Sequence, residues 1–314
     1  MIVVRELDDP AFVVPSSVVT IGTFDGLHLG HQRLIRVARD VARRARLPLV
    51  VVSFDRHPLR LLAPERVPPL IMTPLQRDRV LASQGVGVLY LLHFGPERAQ
   101  QAPASFAAEV LASRLGATHV VVGANFTFGA RGAGRPADLV AMGRDLGFSV
   151  DVEELVDDDG EVVSSSRIRA TVASGDLVEA SRLLGRAYAV EGVVVAGDGR
   201  GRELGFPTAN VVVSSSYASP PDGVYAGWAW NDSGRWAAAI SLGTRPTFYP
   251  TDGLRLLEVH LLDADVDLYG QSLEVAFDSR LRGQVAFAGV EELIAQMHAD
   301  VAEVRVRVGD LEGR

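Results

Sequence analysis

Apolar positions in the first half of the chain follow two alternating rhythms. Short apolar runs at Val18 to Ile21, Leu49 to Phe54, Val88 to Leu92, His119 to Val122 and Ser149 to Glu153 predict strands. Between them, apolar residues recur at helical spacing over Gln32 to Ala45, Pro74 to Gln84, Ala104 to Leu115 and Pro136 to Leu146. Strand alternating with helix predicts a doubly wound parallel sheet, with ligands at the carboxyl ends of its strands. After a helix predicted over Asp176 to Leu184 the texture changes. Short β-rich runs follow at Val190 to Val195, Ala209 to Val213, Val224 to Trp230, Trp236 to Ser241, Leu256 to Leu262 and Leu273 to Phe277, punctuated by Gly, Pro, Asn and Asp. That spacing predicts a small barrel or sandwich. A final helix over Val290 to Val304 has Leu293, Ile294, Met297 and Val301 with which to pack on it. Two domains are expected, residues 1–184 and 185–314.

Composition narrows the chemistry. A formal charge of −8 and a pI of about 5.4 argue against binding nucleic acid through general electrostatics, and no basic patch with interleaved aromatics occurs. The segment MIVVRELDDP is no secretory leader, and runs such as Leu47 to Val52 are too short to span a bilayer, so no membrane partner and a cytoplasmic location are expected. Zero cysteines remove disulfides, thiolate nucleophiles and Cys-ligated zinc. All 31 basic side chains are arginine. Without lysine there is no Walker A loop, no protein-kinase strand lysine and no Schiff base, so any phosphate clamp uses Arg, backbone amides, hydroxyls or a metal.

The densest chemistry lies in Thr20-Ile21-Gly22-Thr23-Phe24-Asp25-Gly26-Leu27-His28-Leu29-Gly30-His31. A buried strand ends in a glycine-punctuated turn, and His28 and His31 share one face of the following helix's first turn, where N–H groups and the dipole favour an anion. As an isolated pair the histidines could ligate a metal or merely cap and pack; the glycine-rich entry favours a phosphate site. Val163-Ser164-Ser165-Ser166-Arg167-Ile168-Arg169 supplies hydroxyls and guanidiniums at a second helix start, readable as a polyphosphate cradle or as a plain serine cap. Asn125-Phe126-Thr127-Phe128-Gly129 follows a strand and offers aromatic rings for stacking or for the core. Asp25 is a candidate polar contact to nucleotide or metal, or a plain turn aspartate.

In the β-rich half, Gly197-Asp198-Gly199-Arg200-Gly201-Arg202 has the glycine density of an anion nest and runs on into Glu203-Leu204-Gly205-Phe206-Pro207-Thr208-Ala209-Asn210. Thr208 and Asn210 alternate at a strand start and can face one ligand, with hard oxygens suited to Mg²⁺. Glu258 and His260 share a face of the run Leu256-Leu257-Glu258-Val259-His260-Leu261, where a glutamate is ordinarily solvated.

These strings resemble, in order and over residues 18 to about 306, the bacterial bifunctional riboflavin kinase/FAD synthetase family. GTFDGLHLGHQ is similar to its HxGH start, SSSRIR to its ISSTxIR phosphate motif, and NFTFG to its flavin-domain loop. SFDRHP is similar to TFDPHP, with Arg56 where proline is usual. GFPTAN and LEVHL are similar to the kinase signatures. The resemblance implies an N-terminal Rossmann-like nucleotidyltransferase and a C-terminal flavokinase antiparallel β-barrel with a terminal helix. It implies ATP as co-substrate, Mg²⁺, and riboflavin, FMN and FAD as substrate and product flavins, with small-molecule partners only. On it His28, His31 and Glu258 are catalytic. Gly22, Phe24, Asp25, Asn125, Phe128, Ser164, Ser165, Arg167, Arg169, Gly197, Gly199, Arg200, Gly201, Phe206 and Pro207 bind nucleotide or flavin, and Thr208 and Asn210 hold the metal. Asp222-Gly223-Val224-Tyr225, Gly243-Thr244-Arg245-Pro246-Thr247-Phe248 and Asp267-Leu268-Tyr269-Gly270 also match, and Arg280-Leu281-Arg282-Gly283 offers a cation to flavin or phosphate or a surface charge.

Other readings remain at this point. A nucleotidyltransferase of the pantetheine-phosphate or nicotinamide-mononucleotide kind explains HxGH and SSSRIR but leaves residues 185–314 without a purpose. A flavin-binding regulator with decayed sites, or a riboflavin kinase whose adenylyltransferase is weakened at Arg56, explains less of the intact chemistry. Oligomeric state has no signature here.

Overall fold

The computed structural model describes residues 1–197, 199–243 and 254–309. The chain forms two compact units, Met1–Pro68 with Pro74–Ser164, and Pro69–Thr73 with Ser165–Arg314. The division falls ahead of residue 184 because the helix Leu177–Leu184 packs on barrel strands of the second unit.

In the first unit six strands, β1 (Ile2–Arg5), β2 (Ser17–Ile21), β3 (Leu49–Phe54), β4 (Val88–Leu92), β5 (Ala117–Gly123) and β6 (Ser149–Glu153), pair in parallel in the order β1-β4-β3-β2-β5-β6. Buried on both faces, β2, β3 and β4 are largely apolar, as parallel strands covered by helices are, interrupted only by the buried Ser17, Thr20 and Ser53. The chain leaves β2 for β3 on one side, whereas β5 lies on the other, with Val19 opposite Val120 and Thr20 opposite Val121. The carboxyl ends of β2 and β5 therefore flank the topological switch point, where open α/β sheets bind ligands. One face of the sheet packs Val19, Ile21, Val50, Val52, Tyr90 and Val120 against Phe106, Leu111, Leu115 and Leu139.

Three details depart from the periodicity. β1 was not anticipated: a short terminal edge strand with one buried residue has too little pattern to read. The helix expected over Ala104 to Leu115 is a turn, Pro103–Phe106, followed by a π-helical segment, Ala107–Arg114, which keeps Ala107, Val110 and Leu111 buried. The polar loop Asp157-Asp158-Asp159-Gly160 belongs to a small hairpin of β7 (Asp157–Asp158) and β8 (Glu161–Val162), turned by Asp159 and Gly160 at positive φ.

The second unit opens with the helices Ser165–Ser174 and Leu177–Leu184, the latter capped by Asp176, whose carboxylate accepts from the Glu179 N–H at 3.0 Å. A closed antiparallel barrel follows: β9 (Tyr188–Val195), β10 (Ala209–Ser214), β11 (Gly223–Asn231), β12 (Gly234–Gly243), β13 (Leu254–Leu261) and β14 (Ser272–Arg282), in the order β10-β13-β12-β11-β14-β9. Closure removes the sheet edges that a sandwich would leave. Alternation sends Val211, Tyr225, Ile240, Leu257, Val259 and Phe277 inward, where all are buried. The terminal helix, Val290–Gly309, packs Val304 and Val308 on Ala226 and Leu262 of the outer wall, beside Trp228, Ala237 and Ala239. All three tryptophans of the chain, Trp228, Trp230 and Trp236, sit on β11 and β12, with the Arg235 guanidinium 3.9 Å from the Trp228 ring.

Candidate functional site

In the first unit β2 delivers the chain into a turn in which Phe24 and Leu27, both fully buried, take positive φ. His28 then caps the helix Leu29–Ala45, its Nδ1 accepting from the His31 N–H at 3.4 Å, which leaves the His28 proton on Nε2. The two imidazoles stack with centroids 3.7 Å apart, and Phe24 meets His31 edge-on at 5.2 Å. Gly30 lies close beneath the His28 ring: a Cβ there would lie 3.1 Å from His28 Cε1, so a larger residue would press on the imidazole. Burial, reinforced by the neighbouring His28, holds the His31 imidazole well below its ordinary pKa, and its Nδ1 is buried without a hydrogen-bond partner among the described residues. At neutral pH the His31 ring is neutral, and the pair sits at a helix N-terminus, a site that gains from an arriving anion.

Phe24 stands behind His31 rather than at the surface, and Asp25 is also buried. After β5, Asn125 is exposed. Phe128, one of two rings readable as a stacking surface or as core, is buried against Phe106 and covered by the partly exposed Phe126 at 5.5 Å. The exposed ring face in this loop therefore belongs to Phe126; from the sequence the two rings were equivalent. The 163 carbonyl oxygen lies 3.6 Å from a Cβ placed on Gly30, so the segment ending at Ser164 passes the histidine turn. Ser165, Arg167 and Arg169 belong to the second unit, where Arg167 pairs with Glu179 at 2.7 Å and Arg169 donates to the Pro69 carbonyl at 2.7 Å.

The Ser53-Phe54-Asp55-Arg56-His57-Pro58 loop has its own anchor. Asp55 accepts from His93 Nδ1 at 2.7 Å and from the Phe94 N–H at 3.2 Å, with Arg56 at 3.5 Å. Partial burial disfavours its charge, but the His93 and Phe94 hydrogen bonds and the nearby cations outweigh it and hold the carboxyl below the usual range. Arg56 is thus accommodated as an ion-pair partner of the loop's own aspartate.

The second unit holds a cavity of about 460 Å³. It lies against the outer wall of the barrel, between that wall and the terminal helix. Gly197, Gly199, Gly201, Phe206, Pro207, Thr208 and Asn210 line one end; Arg282, Phe287, Met297 and Asp300 line the other. Strand register builds the wall: Asn210 pairs with Glu258, Glu258 with Ser241, Ser241 with Val224 and Val224 with Arg282. The glycine loop lies directly on the polar end. A Cβ on Gly197 would fall 2.1 Å from Asn210 Nδ2, and one on Gly201 would fall 3.2 Å from Thr208 Oγ1. Arg202 of the glycine loop also lines the cavity, as do Ser241 and Gln284, which only the fold brings there. Asp198, the Arg200 side chain and the 244–248 part of the threonine-proline motif lie outside the described residues.

Arg280 and Arg282 already have partners. Arg280 donates to the Asp222 carbonyl at 2.7 Å, and Arg282 grips Asp300 through Nε and a terminal nitrogen at 3.0 and 2.7 Å, with Gln296 on the same carboxylate at 2.8 Å. Arg282 is thus ion-paired at the cavity wall, whereas Arg280 is held through a neutral carbonyl.

A Rossmann-like sheet with paired imidazoles at its switch point, followed by a barrel whose wall sets an amide beside a carboxylate, is the architecture of a two-domain transferase. Residues 13–167 match the FAD synthetase family and residues 184–308 the riboflavin kinase family. The bifunctional riboflavin kinase/FMN adenylyltransferase of Bacillus subtilis (strain 168) is 36% identical over 294 residues, 91% of each chain, and that of Pseudomonas fluorescens is 37% identical over 289 residues, 92% of each. The crystal structure of a macrolide-efflux protein from Streptococcus pneumoniae is similar with a TM-score of 0.85 and 34% identity, covering 97% of this chain and 99% of that one. Among the described residues no helix is long and apolar enough to cross a membrane. The chain belongs to the bifunctional riboflavin kinase/FMN adenylyltransferases, enzymes that phosphorylate riboflavin to FMN and adenylylate FMN to FAD.

Proposed function

We propose that residues 185–314 carry the kinase and residues 1–184 the adenylyltransferase, each with its own ATP site. The observation that carries the kinase assignment is the wall on which Thr208, Asn210 and Glu258 line one cavity. Glu258 takes the proton of the riboflavin 5′-hydroxyl as its oxygen attacks the γ-phosphorus; the bond to the bridging oxygen breaks and ADP leaves. Gly197, Gly199, Arg200 and Gly201 receive the ATP phosphates, and the apolar end near Phe287 and Met297 receives the flavin. The Thr208 hydroxyl and the Asn210 carbonyl oxygen, seated under the glycine loop, are hard neutral donors that fit Mg²⁺ sharing its other positions with phosphate and water. When bound, Mg²⁺ offsets phosphate charge.

In adenylyl transfer a phosphate oxygen of FMN attacks the α-phosphorus of ATP and pyrophosphate leaves, with no covalent enzyme intermediate. His28 and His31 stabilise the transferring group through N–H donation, and Ser164, Ser165, Arg167 and Arg169 are assigned to the triphosphate by their motif. Gly22, Asp25 and Asn125 line the switch point, while Phe24 and Phe128 back it from the core. FMN leaves one site and rebinds at the other, in the cytoplasm where both substrates meet ATP.

Chromatography of flavins during incubation with riboflavin, ATP and Mg²⁺ tests this division. FMN is expected before FAD. A His28→Ala/His31→Ala chain should stop at FMN, and FAD still formed at the parental rate would refute the histidine assignment.

A further inference from the structure

We propose that His260 is a positioning residue that locks the metal-binding turn to the strand carrying the catalytic base. The inference rests on the assignment of Thr208 and Glu258 above. β10 and β13 pair from Ser214–Leu254 through Asn210–Glu258 to Ala209–Val259, and there the described ladder stops. Continuing the register would set Thr208 opposite His260, but the chain before it is Phe206-Pro207, and proline has no N–H with which to extend a ladder. The His260 side chain takes over where the backbone pairing ends: its Nδ1 lies 2.8 Å from the Pro207 carbonyl oxygen. A carbonyl only accepts, so Nδ1 carries the proton and donates.

The ring is held from other directions as well. Its backbone stays paired on the far side, opposite Ala239 of β12. Phe206, itself buried, meets the His260 ring edge-on at 5.5 Å and the ring of His298, from the terminal helix, at 4.8 Å. One imidazole thus joins β13 to the turn, and the turn's next residue is Thr208. Glu258 lies two residues along the same face of β13, so a shift of the turn changes the spacing between metal ligands and base while leaving either group chemically intact. His260 acts through Pro207 and is assigned no contact with phosphate or proton.

The chemistry of the bond supplies its test. Asparagine carries its amide nitrogen near the position of imidazole Nδ1, and glutamine carries its own near Nε2. In the full-length enzyme, the free Mg²⁺ needed for half-maximal riboflavin phosphorylation should rise about tenfold in His260→Ala and His260→Gln, the equivalent of one lost hydrogen bond, and stay near parental in His260→Asn. Conversion of added FMN to FAD by the same chain should not change. Hydrogen exchange of the Leu204–Val212 segment, measured without nucleotide, should accelerate in His260→Ala and His260→Gln and be restored in His260→Asn. Should His260→Ala not fold, the Asn and Gln variants decide alone. A His260→Asn enzyme as impaired as the Gln form, an Ala variant with parental exchange in that segment, or an effect on riboflavin KM with no change in Mg²⁺ requirement would each overturn the proposal. A Thr208→Ala chain with unaltered Mg²⁺ requirement would instead remove the metal assignment, and the exchange pattern would still decide whether His260 holds the turn.

Discussion

Asn210 and Glu258 are direct ladder partners across β10 and β13, and both line the same cavity. Residues opposite each other in an antiparallel pair keep their Cβ atoms about 4.5–5.5 Å apart. Main-chain pairing therefore sets the distance between amide and carboxylate, and side-chain substitution can remove one group without moving the other. Glu258→Gln should lower the riboflavin phosphorylation rate by roughly 10²–10⁴-fold, as loss of a general base does. Conversion of added FMN to FAD should be unchanged. Time-resolved flavin chromatography reads both steps in one sample.

Gly197 has no room for a side chain. With Asn210 Nδ2 only 2.1 Å from its Cβ position, Gly197→Ala must displace either the glycine loop or the Asn210 amide. The expected outcome is a rise of about tenfold or more in the kinase KM for ATP, equal to the loss of about 1.4 kcal/mol of binding. Gly270→Ala serves as a contrast: unlike Gly197, Gly270 takes positive φ, but a Cβ there meets nothing within 4 Å, so the effect should fall on stability and spare KM.

These two cases also mark what the chain discloses. GFPTAN and LEVHL stand out by their resemblance to the kinase signatures, and the alternation of Thr208 with Asn210 already put them on one face. Their meeting with Glu258 depends on the register between strands distant in sequence, which no local pattern encodes. The same holds for Arg282, whose partner Asp300 lies on the terminal helix. In the first domain the strand-helix rhythm predicted the sheet because its buried central strands are largely apolar runs. It missed β1, which has one buried residue, and it could not rank Phe126 against Phe128, because exposure of either ring depends on how the Asn125 loop folds back onto Phe106.

His31 sets a pH dependence of stability. Its imidazole titrates well below 6.5 in the folded chain, by burial first and by His28 second, and near 6.5 when unfolded. Below 6.5 the unfolded chain binds the proton more readily, so this group's contribution is complete above 6.5 and is lost as pH falls toward the depressed folded value. Urea midpoints recorded between about pH 5 and 8 should fall at the acid end, and His31→Gln should flatten that slope. An unchanged slope in the variant would assign the acid sensitivity elsewhere.

The Arg282–Asp300 pair is shielded, with side-chain exposures of 20% and 9%, whereas Arg305–Asp263 is open at 53% and 71%. Asp300→Ala strands a largely buried guanidinium and should cost about 3–5 kcal/mol in barrel stability. Asp263→Ala should leave the unfolding midpoint within error, because water screens that pair. Equal losses from the two variants would mean that burial is not what distinguishes them.

The crowding of Trp228, Trp230 and Trp236 onto one hairpin of the barrel gives the molecule a built-in optical label confined to its kinase half. Indole emission reports on that half alone, whereas far-ultraviolet dichroism sums over both. Superimposable unfolding curves from the two signals would show that the halves melt as one cooperative body; a gap between them would give the order in which they come apart, without labelling or cutting the chain.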